Sequence, residues 1–173
     1  MGAEANPAEQ APAETSSENV EALLEAFTCL TQTFISLKVS SAANFRAARY
    51  DDIDDVISLA SAGVSLDSKD SQGRTALHMA SANGHLDIVD YLISSGVDVN
   101  TSNVEKNTPL HWACLNGHVE VVKKLILAGA SVSVLNSHER TPMDEAVGRG
   151  KMDVIDAINA GVAQIEISAV TVS

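Results

Sequence analysis

Aromatic residues are nearly missing from this chain: one Trp, two Tyr and three Phe among 173 residues. A core built on rings is therefore excluded, and the 45% of hydrophobic residues is largely aliphatic, enough for one domain. Bases are equally scarce, with 11 Lys and Arg against 23 Asp and Glu, a net charge of -12. A field of that sign repels phosphate backbones and anionic lipid, so nucleic acid and membrane surfaces are poor partners and a basic protein is favoured. Cysteine is limited to Cys29 and Cys114, far apart and in no zinc spacing, which leaves reduced thiols as the expectation. No apolar run approaches the length of a membrane span, and residues 1–26 hold six glutamates and no base, unlike a signal peptide. The expected location is the cytoplasm, the nucleus or both.

Catalytic frameworks are missing as well. There is no phosphate loop, no dinucleotide fingerprint and no Ser, Cys or Thr in a glycine-framed elbow. Asp51, Asp52, Asp54 and Asp55 cluster at a turn between helices, where such a group is a solvated face rather than paired acids at work. His78, His85, His111 and His118 could ligate zinc in principle, but no Cys-x-x-Cys or His-x-x-x-His spacing supports it. Each recurs at a fixed place, which points to structural hydrogen bonding. No enzymatic activity, cofactor or metal is expected.

What the chain does have is a period of thirty-three residues. Thr75, Leu77, His78, Ala80, Asn83, Gly84 and His85 return as Thr108, Leu110, His111, Ala113, Asn116, Gly117 and His118. A partial further unit follows in Thr141, Pro142, Met143, Ala146 and Gly150. Self-similarity at that length marks a stacked-repeat protein. Thr75, Thr108 and Thr141 are placed to cap a helix, with Pro109 and Pro142 at its first position. Gly84, Gly117 and Gly150 end that helix in the left-handed region, and Gly96 and Gly129 follow a second one. Ile88, Val89, Leu92 and Ile93 form an apolar stripe at helical spacing, repeated as Val121, Val122, Leu125 and Ile126 and then as Val154, Ile155 and Ile158. One helix pair cannot bury such a stripe alone, so neighbouring units must share it.

The strings Thr75-Ala76-Leu77-His78-Met79-Ala80 and Thr108-Pro109-Leu110-His111-Trp112-Ala113 resemble the hallmark of the ankyrin-repeat family. The resemblance covers residues 48–161 and is strongest in the second and third units. The fourth departs at Asp144, which replaces the histidine, and at Lys151, and so reads as an exposed cap. The resemblance implies a mainly α solenoid of about four repeats, each a β-turn or hairpin plus an antiparallel helix pair. The expected divisions are the remainder of repeat 1 at 48–66, repeat 2 at 67–99, repeat 3 at 100–132, repeat 4 at 133–162 and a carboxy-terminal tail at 163–173. A weaker resemblance, resting on size, repeat number and acidity, is to small fungal and plant ankyrin proteins related to a yeast chaperone for a basic ribosomal protein.

Residues 1–20, rich in Ala, Glu, Ser and Pro, read as a disordered acidic tail. Residues 21–47 are an atypical amino-terminal segment in which 27–47 stands out: it holds all three phenylalanines and no acid. Two readings stand. Either 27–47 is an insertion whose removal brings Leu23 to the place of Leu77, or 42–50 is a divergent first helix with Asn44 in that place.

For function, the family resemblance implies a concave face made by turn fingers and first helices that binds other proteins. Mapped here, it selects Ser71, Gln72, Arg74, Ala82 and Asn83 in the second unit. In the third it selects Val104, Glu105, Asn107, Trp112, Leu115 and Asn116, and in the fourth Ser137, His138, Arg140 and Arg149. Trp112 stands at the position of Met79 and Glu145, and exposure as an anchor and burial in the core are both open to it. The expected function is thus a monomeric, non-enzymatic adaptor for a protein partner, with an acidic assembly chaperone for a basic client as the alternative.

Overall fold

The computed structural model describes Thr28 and residues 42–171, the side chains of 168–171 excepted. The tail expected at 1–20 lies outside the described residues, as does most of the segment 27–47. Within 42–171 there are eight helices: α1 over 42–50, α2 Ile53–Ser61, α3 Ala76–Asn83, α4 Leu86–Ser94, α5 Pro109–Asn116, α6 Val119–Leu127, α7 Pro142–Gly148 and α8 Met152–Thr171. Odd-numbered helices open each repeat and even-numbered ones close it. α3 packs on α5 and α5 on α7 in one layer, while α2, α4, α6 and α8 stack in sequence in the other. No strand occurs among the described residues, so the fingers are turns rather than hairpins. α8 runs on through the stretch expected as a tail.

The repeated residues do what their chemistry requires. Gly84 and Gly117 end α3 and α5 at φ 82° and 89°. At Gly84 a Cβ would also lie 2.5 Å from the ring of His118, because that ring reaches across to donate from Nε2 to the Ala82 carbonyl at 3.0 Å. His85 makes the same bond one repeat earlier, to Arg49 O at 3.0 Å. α1 thereby holds the thirty-three-residue register, with Asp51 at φ 65° in the place of Gly84. The stripe is core: Ile88, Val89, Leu92, Val121, Val122, Leu125, Ile126, Val154 and Ile158 are all buried, with Ile93 and Ile155 half-buried. Burying each such side chain contributes about 1.5–3 kcal/mol.

The two ends of the stack differ from its middle. Ser81 and Cys114 are fully buried, whereas Val147, their equivalent in repeat 4, is 57% exposed, with no further repeat packed on it among the described residues. Burial pushes the Cys114 thiol up to about 12, leaving it inert. At the other end Asn44 occupies the place of Leu77, fully buried, with neither amide atom hydrogen-bonded. An unsatisfied buried amide costs about 1–3 kcal/mol. Asn44→Leu should therefore stabilise the protein by about 1–3 kcal/mol, read as a raised urea midpoint at unchanged slope. A lowered midpoint would show that the site rejects an apolar side chain and that repeat 1 is packed differently.

Candidate functional site

Three fingers, each repeating one turn, carry the expected binding residues. Asp70 Oδ1 accepts from the N–H groups of Gln72 and Arg74 at 2.9 and 2.8 Å. Asn103 Oδ1 does the same for Glu105 and Asn107 at 3.0 and 2.9 Å, and Asn136 Oδ1 for His138 and Arg140 at 2.9 and 3.1 Å. Side-chain oxygens of Asp and Asn suit this because they can mimic a backbone acceptor. The turns close in the left-handed region at Gly73, Lys106 and Glu139. Adjacent fingers are tied by Val104 N–H to Gln72 O at 3.0 Å and Ser137 N–H to Glu105 O at 2.9 Å.

The histidines at the helix starts lock fingers to helices. His78 Nε2 lies 3.0 Å from the carbonyl of Asn107, so that nitrogen carries the hydrogen and Nδ1 is free to accept from Thr75 N–H at 3.2 Å. His111 repeats this with the Arg140 carbonyl at 3.1 Å and Thr108 N–H at 3.1 Å. In repeat 4, Asp144 Oδ2 accepts from Thr141 N–H and Oγ1 at 2.8 and 2.7 Å, the local half of the same device. Burial lowers the basicity of both histidines, of His78 to about 4.

Of the residues selected by resemblance, Ser71 and Gln72 are exposed on the first finger, while Arg74 is held by Asp70 at 2.6 Å. Ala82, Asn83 and Asn116 sit at helix ends, away from the fingers. There Asn116 Nδ2 donates to Ala82 O at 2.7 Å, and Asn83 Nδ2 to Met79 O at 2.8 Å. Val104 is 63% exposed, and Ser137 is exposed beside it in sequence register. Glu105, Asn107, Trp112, Leu115, His138, Arg140 and Arg149 come together around one groove of about 300 Å³ between repeats 3 and 4.

Trp112 and Leu115 are half-buried on the wall of that groove. The Trp112 ring meets His78 edge-on, 5.5 Å between centroids at 76°, so the residue is both packed and presented. Asn107, at 8% exposure, is structural: its Oδ1 accepts from Asn136 Nδ2 at 2.9 Å. Three lining residues were missed by the sequence reading, His111, Asn136 and Glu145. Asn136 could have been found from the spacing of Asp70, Asn103 and Asn136. Glu145 is held by Asn136 Nδ2 at 3.0 Å and by Arg140 at 3.6 Å.

The family model described as ankyrin repeats (3 copies) matches residues 44–136 and again 102–164. The chain belongs to the ankyrin-repeat family. Comparison with curated proteins gave no match. Repeats of this family are non-enzymatic modules that mediate protein–protein interaction.

Two predictions follow from this geometry. Because folding keeps His78 neutral down to about pH 4 while the unfolded chain takes up its proton near 6.5, stability is full above 6.5 and is lost as pH falls between those values. The slope is on the order of 1.4 kcal/mol per pH unit, with His111 acting in the same direction. Denaturation of the wild type and His78→Gln from pH 7.5 down to 4.5 should show a shallower loss in the variant, and parallel curves would refute the assignment. Second, a side chain in the left-handed region costs about 1 kcal/mol, so Lys106→Gly should stabilise the finger by roughly 0.5–1 kcal/mol. A loss in thermal or urea midpoint would mean that the Lys106 side chain makes a compensating contact.

Proposed function

We propose that this ankyrin protein is an adaptor that holds a protein partner on the finger side of its stack, centred on the groove between repeats 3 and 4. The observation that supports this best is the groove itself. It collects seven of the residues the family pattern selects around a half-buried tryptophan, the residue type that most often anchors an interface.

The partner in this reading is a protein of net positive charge, met by a monomer in the cytoplasm or nucleus. A chain of -12 attracts such a partner over about a Debye length. The exposed acids Asp87, Glu120, Asp153 and Asp156 lie on the second helices, while Glu105 lines the groove, so part of the steering field lies outside the docking surface. That placement also favours a second reading, an acidic assembly chaperone that keeps a basic client soluble.

The partner captured by the full chain and identified by mass spectrometry provides the test. Trp112→Ala with Arg140→Ala should weaken its binding at least about tenfold, the loss of one good anchor, while Lys123→Ala on α6 leaves it unchanged. Since Trp112 packs on His78, the double variant should also lose some thermal stability, and binding is compared below its unfolding temperature. Affinity should fall as salt rises. Equal binding by the double variant removes the finger side as the contact, and salt-independent binding removes the basic partner.

A further inference from the structure

The groove is not acidic where the rest of the surface is. Its two carboxylates are already engaged: Glu145 by Asn136 and Arg140, and Glu105 by Asn107 Nδ2 at 3.1 Å. Its cations are less committed. Arg149 makes no ion pair among the described residues, and Arg140 meets Glu145 through one nitrogen at 3.6 Å, leaving most of its five donors open. His138 adds an exposed ring beside them. The two carboxylates and two guanidiniums of the groove balance in formal charge, and the charged group without an ion pair at its helix end is Arg149, a donor that lines the groove with the apolar surface of Trp112 and Leu115.

We infer that this groove receives a segment of the partner in which a carboxylate side chain lies next to a large apolar one, the carboxylate on Arg149 and the apolar side chain on Trp112 and Leu115. This rests on the finger-side reading above and specifies its contact chemistry. Charge complementarity at Arg149 carries it: a carboxylate takes two parallel N–H donors from a guanidinium, and a basic residue in the same place would face an arginine that makes no ion pair among the described residues. The groove runs from the fingers, at His138 and Arg140, to the ends of the first helices, at Leu115 and Arg149, so the carboxylate is taken at its helix end. A partner that is basic overall is drawn in by the distant acids and then selected by one local acid.

Trp112 is the sole tryptophan, so its fluorescence reports the groove directly. The probe is a capped, tryptophan-free decapeptide with one Phe and one Glu two positions apart in a Ser/Gly background, compared with the same peptide carrying Lys for Glu. Both are titrated into the full chain at about 0.15 M ionic strength, where the long-range field is screened. The Glu peptide should shift Trp112 emission and bind at least about tenfold more tightly than the Lys peptide, the worth of one charge-assisted contact. Arg149→Gln should cancel that preference and Arg149→Glu should reverse it, both with unchanged thermal midpoints because Arg149 is exposed. Tighter binding of the Lys peptide, or equal binding of the two by the wild type, overturns the inference. If neither peptide moves Trp112 while the captured partner still depends on Trp112 and Arg140, the inference falls and the finger-side reading stands. If the partner is indifferent to them as well, both fall.

Discussion

A neutral histidine bridging one repeat to the next is the contact on which this stack turns. His78 and His111 each spend both ring nitrogens, Nδ1 on the threonine that caps their own helix and Nε2 on a carbonyl of the following finger. The bond joins two things that burial alone leaves independent, the start of a first helix and the position of the next finger. Hydrophobic burial is large but non-directional. Leu77, Leu110, Leu92 and Leu125 hold the repeats together without fixing how the fingers align. The second pair of histidines, His85 and His118, performs the corresponding service at the far ends of the first helices, reaching backward to Arg49 and Ala82. α3 and α5 are thus each pinned at both ends, forward through His78 and His111, whose Nδ1 must stay unprotonated to accept, and backward through His85 and His118.

That arrangement explains why the two terminal units look as they do. Among the described residues α8 runs on where a following finger would begin, and Asp144 in place of histidine keeps the local cap, which needs only an acceptor, while giving up the second nitrogen. Its outward position Val147 is exposed where Ser81 and Cys114 are not. Repeat 1 keeps the backward contact through Arg49 but departs from the pattern twice, with Asn44 in a leucine position and Asp51 in a left-handed position that glycine holds elsewhere. In a stack where each unit touches only its neighbours, such costs stay local and lower the stability of one repeat rather than of the whole.

Much of this was legible in the residues. The period placed the helices, the threonines and glycines marked their ends, and the stripe Ile88, Val89, Leu92 named core residues that are core. Other features were hidden for definable reasons. The left-handed turns at Lys106 and Glu139 carry no glycine to announce them, and only their spacing from Gly73 betrays them. The finger anchors Asp70, Asn103 and Asn136 alternate between two residue types, so an identity match passes over them. Net charge is a sum without positions: -12 predicts an acidic molecule, and the acids do dominate the second helices, but it is silent about the arginines gathered at the groove. The half-burial of Trp112 depends on where the His78 ring lies, a contact between repeats that no linear pattern contains.

One position shows how fold and function separate in such a protein. Met79, Trp112 and Glu145 occupy the same place on three successive first helices, and the backbone beneath them is nearly repeated, capped by threonine in each case. Met79 is buried, Trp112 half-buried at the groove, and Glu145 turned to Asn136 and Arg140. Because the cap and the finger are built from residues on either side, nothing in the stacking demands a particular side chain there. The position is free to differ between repeats, and the differences among three otherwise equivalent sites create a groove with an apolar wall and charged residues of both signs around it. Specificity in this chain comes from breaking the repeat at places the repeat does not need.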